Sequence, residues 1–97
     1  MSRKLSGTFD KKGIKALAKD KPIVYEIENA RGKNLYTGSA KKGRVEERLK
    51  EHLPGGSDPV RGGVKVRIQQ QSSIDEARKS EARIIKRNQP PQNKRGK

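Results

Sequence analysis

The 97-residue chain has no cysteine and no tryptophan, and its only aromatic residues are Phe9, Tyr25 and Tyr36. Without cysteine there is no disulfide framework, no thiolate metal site and no thiol nucleophile. Apolar residues make up only 28% of the chain, and no apolar run is longer than Ile23–Tyr25. That excludes a transmembrane helix and the core of a signal peptide, so a soluble, intracellular (cytoplasmic) protein is expected. The length allows one small domain with a thin core of Ile, Val, Leu and Ala. Acidic residues are scarce too: 11 against 25 Lys and Arg leaves a net charge of +14 at pH 7. Such an excess suits a polyanion, nucleic acid first, far better than a metabolite. A membrane surface fits less well, because no long amphipathic helix pairs basic residues with Trp, Phe or Leu.

What is present is strongly patterned, and the organising stretch is Tyr36 to His52, YTGSAKKGRVEERLKEH. It reads as a strand end, a glycine, a basic loop over Lys41 to Arg44, and a helix from Val45 that ends near Leu53 at Pro54. Val45 and Leu49 mark one face of that helix. Arg48 and His52 lie on or beside the same stripe at i and i+4, where both can grip a single anion. The alternative is that both are rim residues with their heads in water.

Upstream, residues 1–21 form a basic segment. It carries a short helix from about Asp10, its cap, to Lys19, with Phe9, Ile14, Leu17, Ala16 and Ala18 as an apolar stripe. Ile23 to Glu28 alternates with period two, as a half-buried strand does, and the turn Asn29 to Lys33 leads to a second strand at Asn34 to Gly38. The short connection makes an antiparallel hairpin. Alternation places Tyr36 on the face of Asn34 and Gly38; whether the two phenols share a face depends on register.

Downstream, Pro54 to Gly63 has four glycines and two prolines in ten residues and is expected to be an irregular, mobile loop. Val64, Val66 and Ile68 alternate with Lys65, Arg67 and Gln69, giving a third strand with a basic outer face that can lie along a phosphate backbone. Ser73 to Glu76 is a capping box that starts the last helix. There Ile74, Ala77, Glu81, Ile84 and Ile85 share one stripe, so Glu81 occupies a core-facing position. A carboxylate on an apolar face costs roughly several kcal/mol unless a cation or a metal meets it. An ion pair with one of the many basic side chains is the plainer explanation. Pro90 and Pro91 stop regular structure, and 94–97 is expected to be a disordered basic tail.

The order Ile23-Val24-Tyr25, then Tyr36-Thr37-Gly38 eleven residues after the first Tyr, then Arg48 and His52, Glu81 on the next long helix and Asn93 after a proline pair resembles the GIY-YIG nuclease domain. The resemblance spans residues 22–93. It implies an α+β fold, a small three-stranded antiparallel sheet flanked by helices, and phosphodiester hydrolysis with one divalent metal, Mg2+ or Mn2+. By the same resemblance Tyr25 and Tyr36 match the tyrosines of the two motifs, and Gly38 the glycine where the backbone approaches the site. Arg48 matches the catalytic arginine, His52 its partner, Glu81 the metal ligand and Asn93 the late asparagine. The sequence departs from the pattern with Ile23 for the first glycine and Thr37 for an apolar residue. A somewhat long loop after Gly38 leaves Arg44 as a competitor to Arg48.

These residue types suit that chemistry. The planar fork of Arg48 can hold two oxygens as negative charge develops on phosphorus. Mg2+ needs only one or two carboxylates besides substrate phosphate, so Glu81 suffices as its anchor. Tyr25 or Tyr36 can accept the attacking water's proton only if its pKa falls well below the usual value of about 10, for which neighbouring cations are the available cause. Tyr25 is the favoured base; His52 either accepts the proton in its place or orients it.

The leading expectation is an endonuclease of minimal size acting on double-stranded or branched DNA in repair or restriction. Lys41, Lys42, Arg44, Lys65 and Arg67 are its candidate nucleic-acid contacts. With few aromatics and no recognition helix, its binding should be electrostatic, with selection by shape, by a targeting protein subunit or not at all. It would act as a monomer or a homodimer. The alternative is a non-catalytic basic DNA- or RNA-binding protein on the same fold, and a third possibility is a ribosome-associated protein. The binding protein gives no use to a carboxylate facing the phosphate it must attract, and the ribosome-associated protein predicts co-sedimentation with ribosomes and no metal dependence.

Overall fold

The period-two stretch at its centre becomes the middle of a sheet. In the computed structural model, which describes residues 5–93, strand β1 (Ser6–Thr8) is followed by helix α1 (Lys11–Lys15) and the hairpin β2 (Ile23–Glu28) and β3 (Asn34–Ala40). Helix α2 (Val45–Glu51), strand β4 (Lys65–Gln70), helix α3 (Ile74–Asn88) and a short turn of 3-10 helix at Pro91–Asn93 complete the chain. The sheet has the order β1-β4-β2-β3 and every pair is antiparallel. It has four strands where the sequence leads one to expect three. Ser6-Gly7-Thr8 offers no apolar alternation to read, yet its backbone pairs Ser6 with Arg67 and Thr8 with Lys65.

Because β2 lies between β4 and β3, it is buried on both faces and not on one as expected: Val24 is as enclosed as Ile23. Ile23, Tyr25 and Ile27 share the main core with Val66, Ile68, Ile14, Leu17, Val45 and Leu49. Helix α3 covers the opposite face over β2 and β3, and Ala77 is its one fully buried residue among those described. Ile74, Ile84 and Ile85 are half-buried, so the apolar stripe of α3 is only partly covered.

Local capping explains the helix ends. The Asp10 carboxylate accepts from the Gly13 N–H at 2.7 Å, as expected of a cap, but α1 is a single turn and stops at Lys15. Gly13 presses against β1, where a Cβ would lie 2.1 Å from the Thr8 carbonyl oxygen. The Lys19 ammonium bonds the carbonyls of Lys15 and Leu17 and ends the turn. Ser73 Oγ caps α3 by accepting from Glu76 N–H at 3.1 Å, and Gln89 closes it at φ 45°. The expected tail 94–97 lies outside the described residues.

A β-bulge changes the expected facing of β3. Ile27 pairs with Tyr36 but Glu28 pairs with Asn34, leaving Leu35 as the extra residue. Asn34 therefore turns to the face of Glu28 and Thr37, where its Nδ2 donates to Thr37 Oγ1 at 2.7 Å; it does not share the face of Tyr36. The register settles the phenols: Tyr25 is opposite Gly38, two residues from Tyr36, so both rings stand on one face. The loop from Pro54 to Gly63 is irregular, as expected, but fastened. Asp58 N–H donates to the Glu51 carbonyl and Val60 N–H to that of His52, each at 2.9 Å, and Val60 is buried. Among the described residues no helix is long and apolar enough to cross a membrane.

Candidate active site

Strand β3 is an edge strand covered on one face by α3, and side chains of α2 and α3 share a cleft with its Ser39. On the α2 side lies a buried polar pair. The Tyr25 hydroxyl is 2.7 Å from His52 Nε2, and both side chains are enclosed. His52 Nδ1 lies 2.8 Å from the Asp58 backbone carbonyl, which can only accept. Nδ1 therefore carries the proton, Nε2 is the acceptor, and the Tyr25 O–H donates to it. The Asp58 carboxylate stands 3.8 Å from the same Nδ1. Tyr36, half-buried, stacks on Tyr25 with centroids 6.3 Å apart and lies 4.5 Å from the His52 ring. Gly38 makes the packing possible, since a Cβ there would sit 2.5 Å from the Tyr25 hydroxyl oxygen.

This arrangement corrects two expectations. His52 caps the C-terminus of α2 with both ring nitrogens committed, so it does not join Arg48 in gripping an anion. Nor does the Tyr25 pKa fall. Burial pushes it well above the usual phenol value, with Tyr36, Glu81 and Glu51 adding to the rise, and Arg48 opposes them without prevailing. Burial likewise holds His52 below its usual 6.5, against the opposing pull of Asp58. Tyr25 is thus a neutral donor and His52 a neutral acceptor.

Beside the pair a cleft of about 300 Å³ is lined by Ser39, Lys41, Arg44, Arg48, Arg78 and Glu81. Arg48 enters it from α2 and Glu81 from α3, so the two converge as the motif order suggests, and the Tyr25 phenol feels both charges. Glu81 is half-buried and accepts from Ser39 Oγ at 2.7 Å. Among the described residues it makes no ion pair, which removes the plainer explanation of its position. Its second oxygen is left for another ligand. No group of three or more His, Cys, Asp or Glu that could cage a metal occurs among the described residues. A single carboxylate in an open, polar cleft fits Mg2+, which keeps several of its waters, and would not hold a fully protein-ligated ion.

The remaining predicted residues divide. Lys41 and Arg44 line the cleft; Lys42 is exposed in the turn beside it. Lys65 and Arg67 are exposed on β4, separated from β3 by β2, and Arg67 lies 3.7 Å from the buried Glu28. Asn93 is buried outside the cleft: its Oδ1 accepts from Thr37 N–H at 2.7 Å and its Nδ2 donates to the Thr37 carbonyl at 2.9 Å. Its amide bonds both backbone groups of Thr37 at the edge of β3, so it supports the strand. Sequence reasoning missed Ser39, Asp58 and Arg78. Arg78 was readable, since it precedes Glu81 by one turn. Asp58 acts mainly through a backbone carbonyl, which no residue pattern announces.

A family model, the GIY-YIG catalytic domain, matches residues 21–95. Among solved structures the chain is similar to the crystal structure of the GIY-YIG N-terminal endonuclease domain of UvrC from Thermotoga maritima, bound to its catalytic divalent cation, magnesium. The identity is 30% over 79% of this chain and 88% of that one, with a TM-score of 0.66. No curated protein matches the chain.

Proposed function

The chain belongs to the GIY-YIG nuclease family, and from that membership we propose that it is a metal-dependent endonuclease that hydrolyses DNA phosphodiesters with little sequence specificity. The observation that carries this reading is the convergence of Arg48 and Glu81 in one cleft beside the Tyr25–His52 pair. The Arg48 guanidinium binds the scissile phosphate and stabilises the charge that grows on its oxygens. Glu81, steadied by Ser39, would hold the divalent ion, which supplies stabilisation of the phosphate and the leaving oxygen.

The attacking water needs a base, and an isolated Tyr25 with a raised pKa is a poor one. Joined to His52 it serves: as Tyr25 Oη takes the water's proton, its own proton passes to His52 Nε2. The imidazolium so formed is stabilised by the Asp58 carbonyl and carboxylate on its far side. The water oxygen forms the new bond to phosphorus as the bond to the leaving oxygen breaks. Tyr36 packs over both rings and keeps the pair aligned.

Low specificity follows from the surface. The net charge of +14 binds any phosphate backbone, and three aromatic residues, two of them in the site, leave little with which to read bases. The test is nicking of supercoiled plasmid in Mg2+ by the native protein, Glu81→Ala and Arg48→Ala. Both substitutions should remove cleavage while DNA affinity falls only modestly. Equal nicking by Glu81→Ala would overturn the assignment, and binding without nicking by the native protein would favour a non-catalytic DNA binder.

A further inference from the structure

Two of the cleft's cations lie within ion-pair distance of carboxylates on α2 and two do not. Arg44 Nε, at the N-cap of α2, lies 2.8 Å from Glu47, and Arg48, within α2, 3.6 Å from Glu51. Lys41, just past the end of β3, and Arg78, on α3, line the same cleft and are exposed. Neither makes an ion pair among the described residues. Asp75, one turn before Arg78, does not pair with it, and Glu76 is taken by Lys79 at 3.9 Å. Arg78 is one turn from Glu81, so its guanidinium and the carboxylate project from the same side of α3. Lys41 lines the same cleft from the end of β3.

One scissile phosphate, held by Arg48 and by an ion on Glu81, leaves these two charges without a partner. A nucleic-acid strand offers one, because each phosphate is followed at once by the next. We infer that Arg78, together with Lys41 in the same cleft, forms a second phosphate subsite that binds the diester adjacent to the scissile one, so that the cleft engages two consecutive phosphates of one strand. The inference rests on the nuclease reading above and gives it a substrate class: a bond inside a polynucleotide, with a neighbouring charged diester. A phosphodiester without such a neighbour leaves Arg78 unengaged.

The test measures binding and turnover separately. Binding of a fluorescent duplex oligonucleotide is followed by anisotropy across a salt series in a Glu81→Ala background, where the DNA stays intact, with Arg78→Ala, Arg78→Lys or Arg83→Ala added. Plasmid nicking is followed with the same substitutions in the otherwise native chain. Arg83 is exposed on α3 but absent from the cleft, and serves as the control. Arg78→Ala should reduce the slope of log affinity against log salt by about one unit. It should also raise KM for nicking with kcat retained. Arg78→Lys should restore most of both, and Arg83→Ala should leave both unchanged. An unchanged slope and KM in Arg78→Ala, or an equal loss in Arg83→Ala, would overturn the subsite. Absence of nicking by the native protein would sink the nuclease reading instead, and the slopes would still decide whether Arg78 binds a phosphate.

Discussion

His52 is enclosed with Nδ1 on the Asp58 carbonyl and Nε2 on the Tyr25 hydroxyl, so protonating it reverses the second bond and places a charge in a buried ring. Its pKa is held below the usual 6.5, chiefly by that burial. A histidine depressed in the folded state contributes stability that is present above the unfolded value and is lost as pH falls through it toward the folded value. The midpoint of urea unfolding should therefore decline as pH is lowered from 7 to 5, and His52→Gln should flatten that decline. The same neutral imidazole is needed as proton acceptor, so the acid limb of the cleavage rate should have its midpoint below 6.5. His52→Gln should lower the rate by roughly 10²–10⁴ and remove the limb. An acid limb centred at or above 6.5, or one that persists in His52→Gln, would contradict the relay.

Strand β3 carries the second tyrosine, the close-approach glycine and Ser39, yet it is the sheet's edge and depends on what covers it. Asn93 covers it by bonding both the N–H and the carbonyl of the buried Thr37. Asn93→Ala leaves those two groups without partners, and stability should fall by about 1–3 kcal/mol in urea titration. Cleavage per folded molecule should stay within a few-fold of native. A loss of kcat with stability intact would return Asn93 to the reacting centre. Legibility differed among elements for physical reasons. The range of β2 was readable because β-branched and aromatic residues alternate there without interruption. The start of α3 was readable because Ser73 and Glu76 mark it. β1 has no side-chain pattern and exists because β4 presents it with an open edge. The reversal of Asn34 comes from a bulge that depends on two strands together.

Over the whole molecule, 25 basic residues leave a strong positive charge, and the site's one metal-binding candidate, Glu81, shares its cleft with Lys41, Arg44, Arg48 and Arg78. Lys41 and Arg78, which make no ion pair among the described residues, stand with one carboxylate in that cleft and disfavour a divalent ion until substrate phosphate joins them. Mn2+ binding followed by electron paramagnetic resonance should be weaker to the protein alone than with non-cleavable DNA present, and Glu81→Ala should abolish the difference. Equal affinity with and without DNA would place the ion elsewhere. The sequence by itself determined the charge, the alternating and helical segments, and the order in which Tyr25, Tyr36, Arg48, Glu81 and Asn93 occur, because these are properties of composition and of short-range period. Only the tertiary structure decided that His52 would be a buried acceptor, that Asn93 would hold a strand edge, and that Arg78 would share a cleft with Lys41 without an ion-pair partner among the described residues. Those outcomes depend on burial and on bonds to backbone atoms distant in the chain, such as that from Thr37 to Asn93, and the residue pattern along a single segment carries no signal of them.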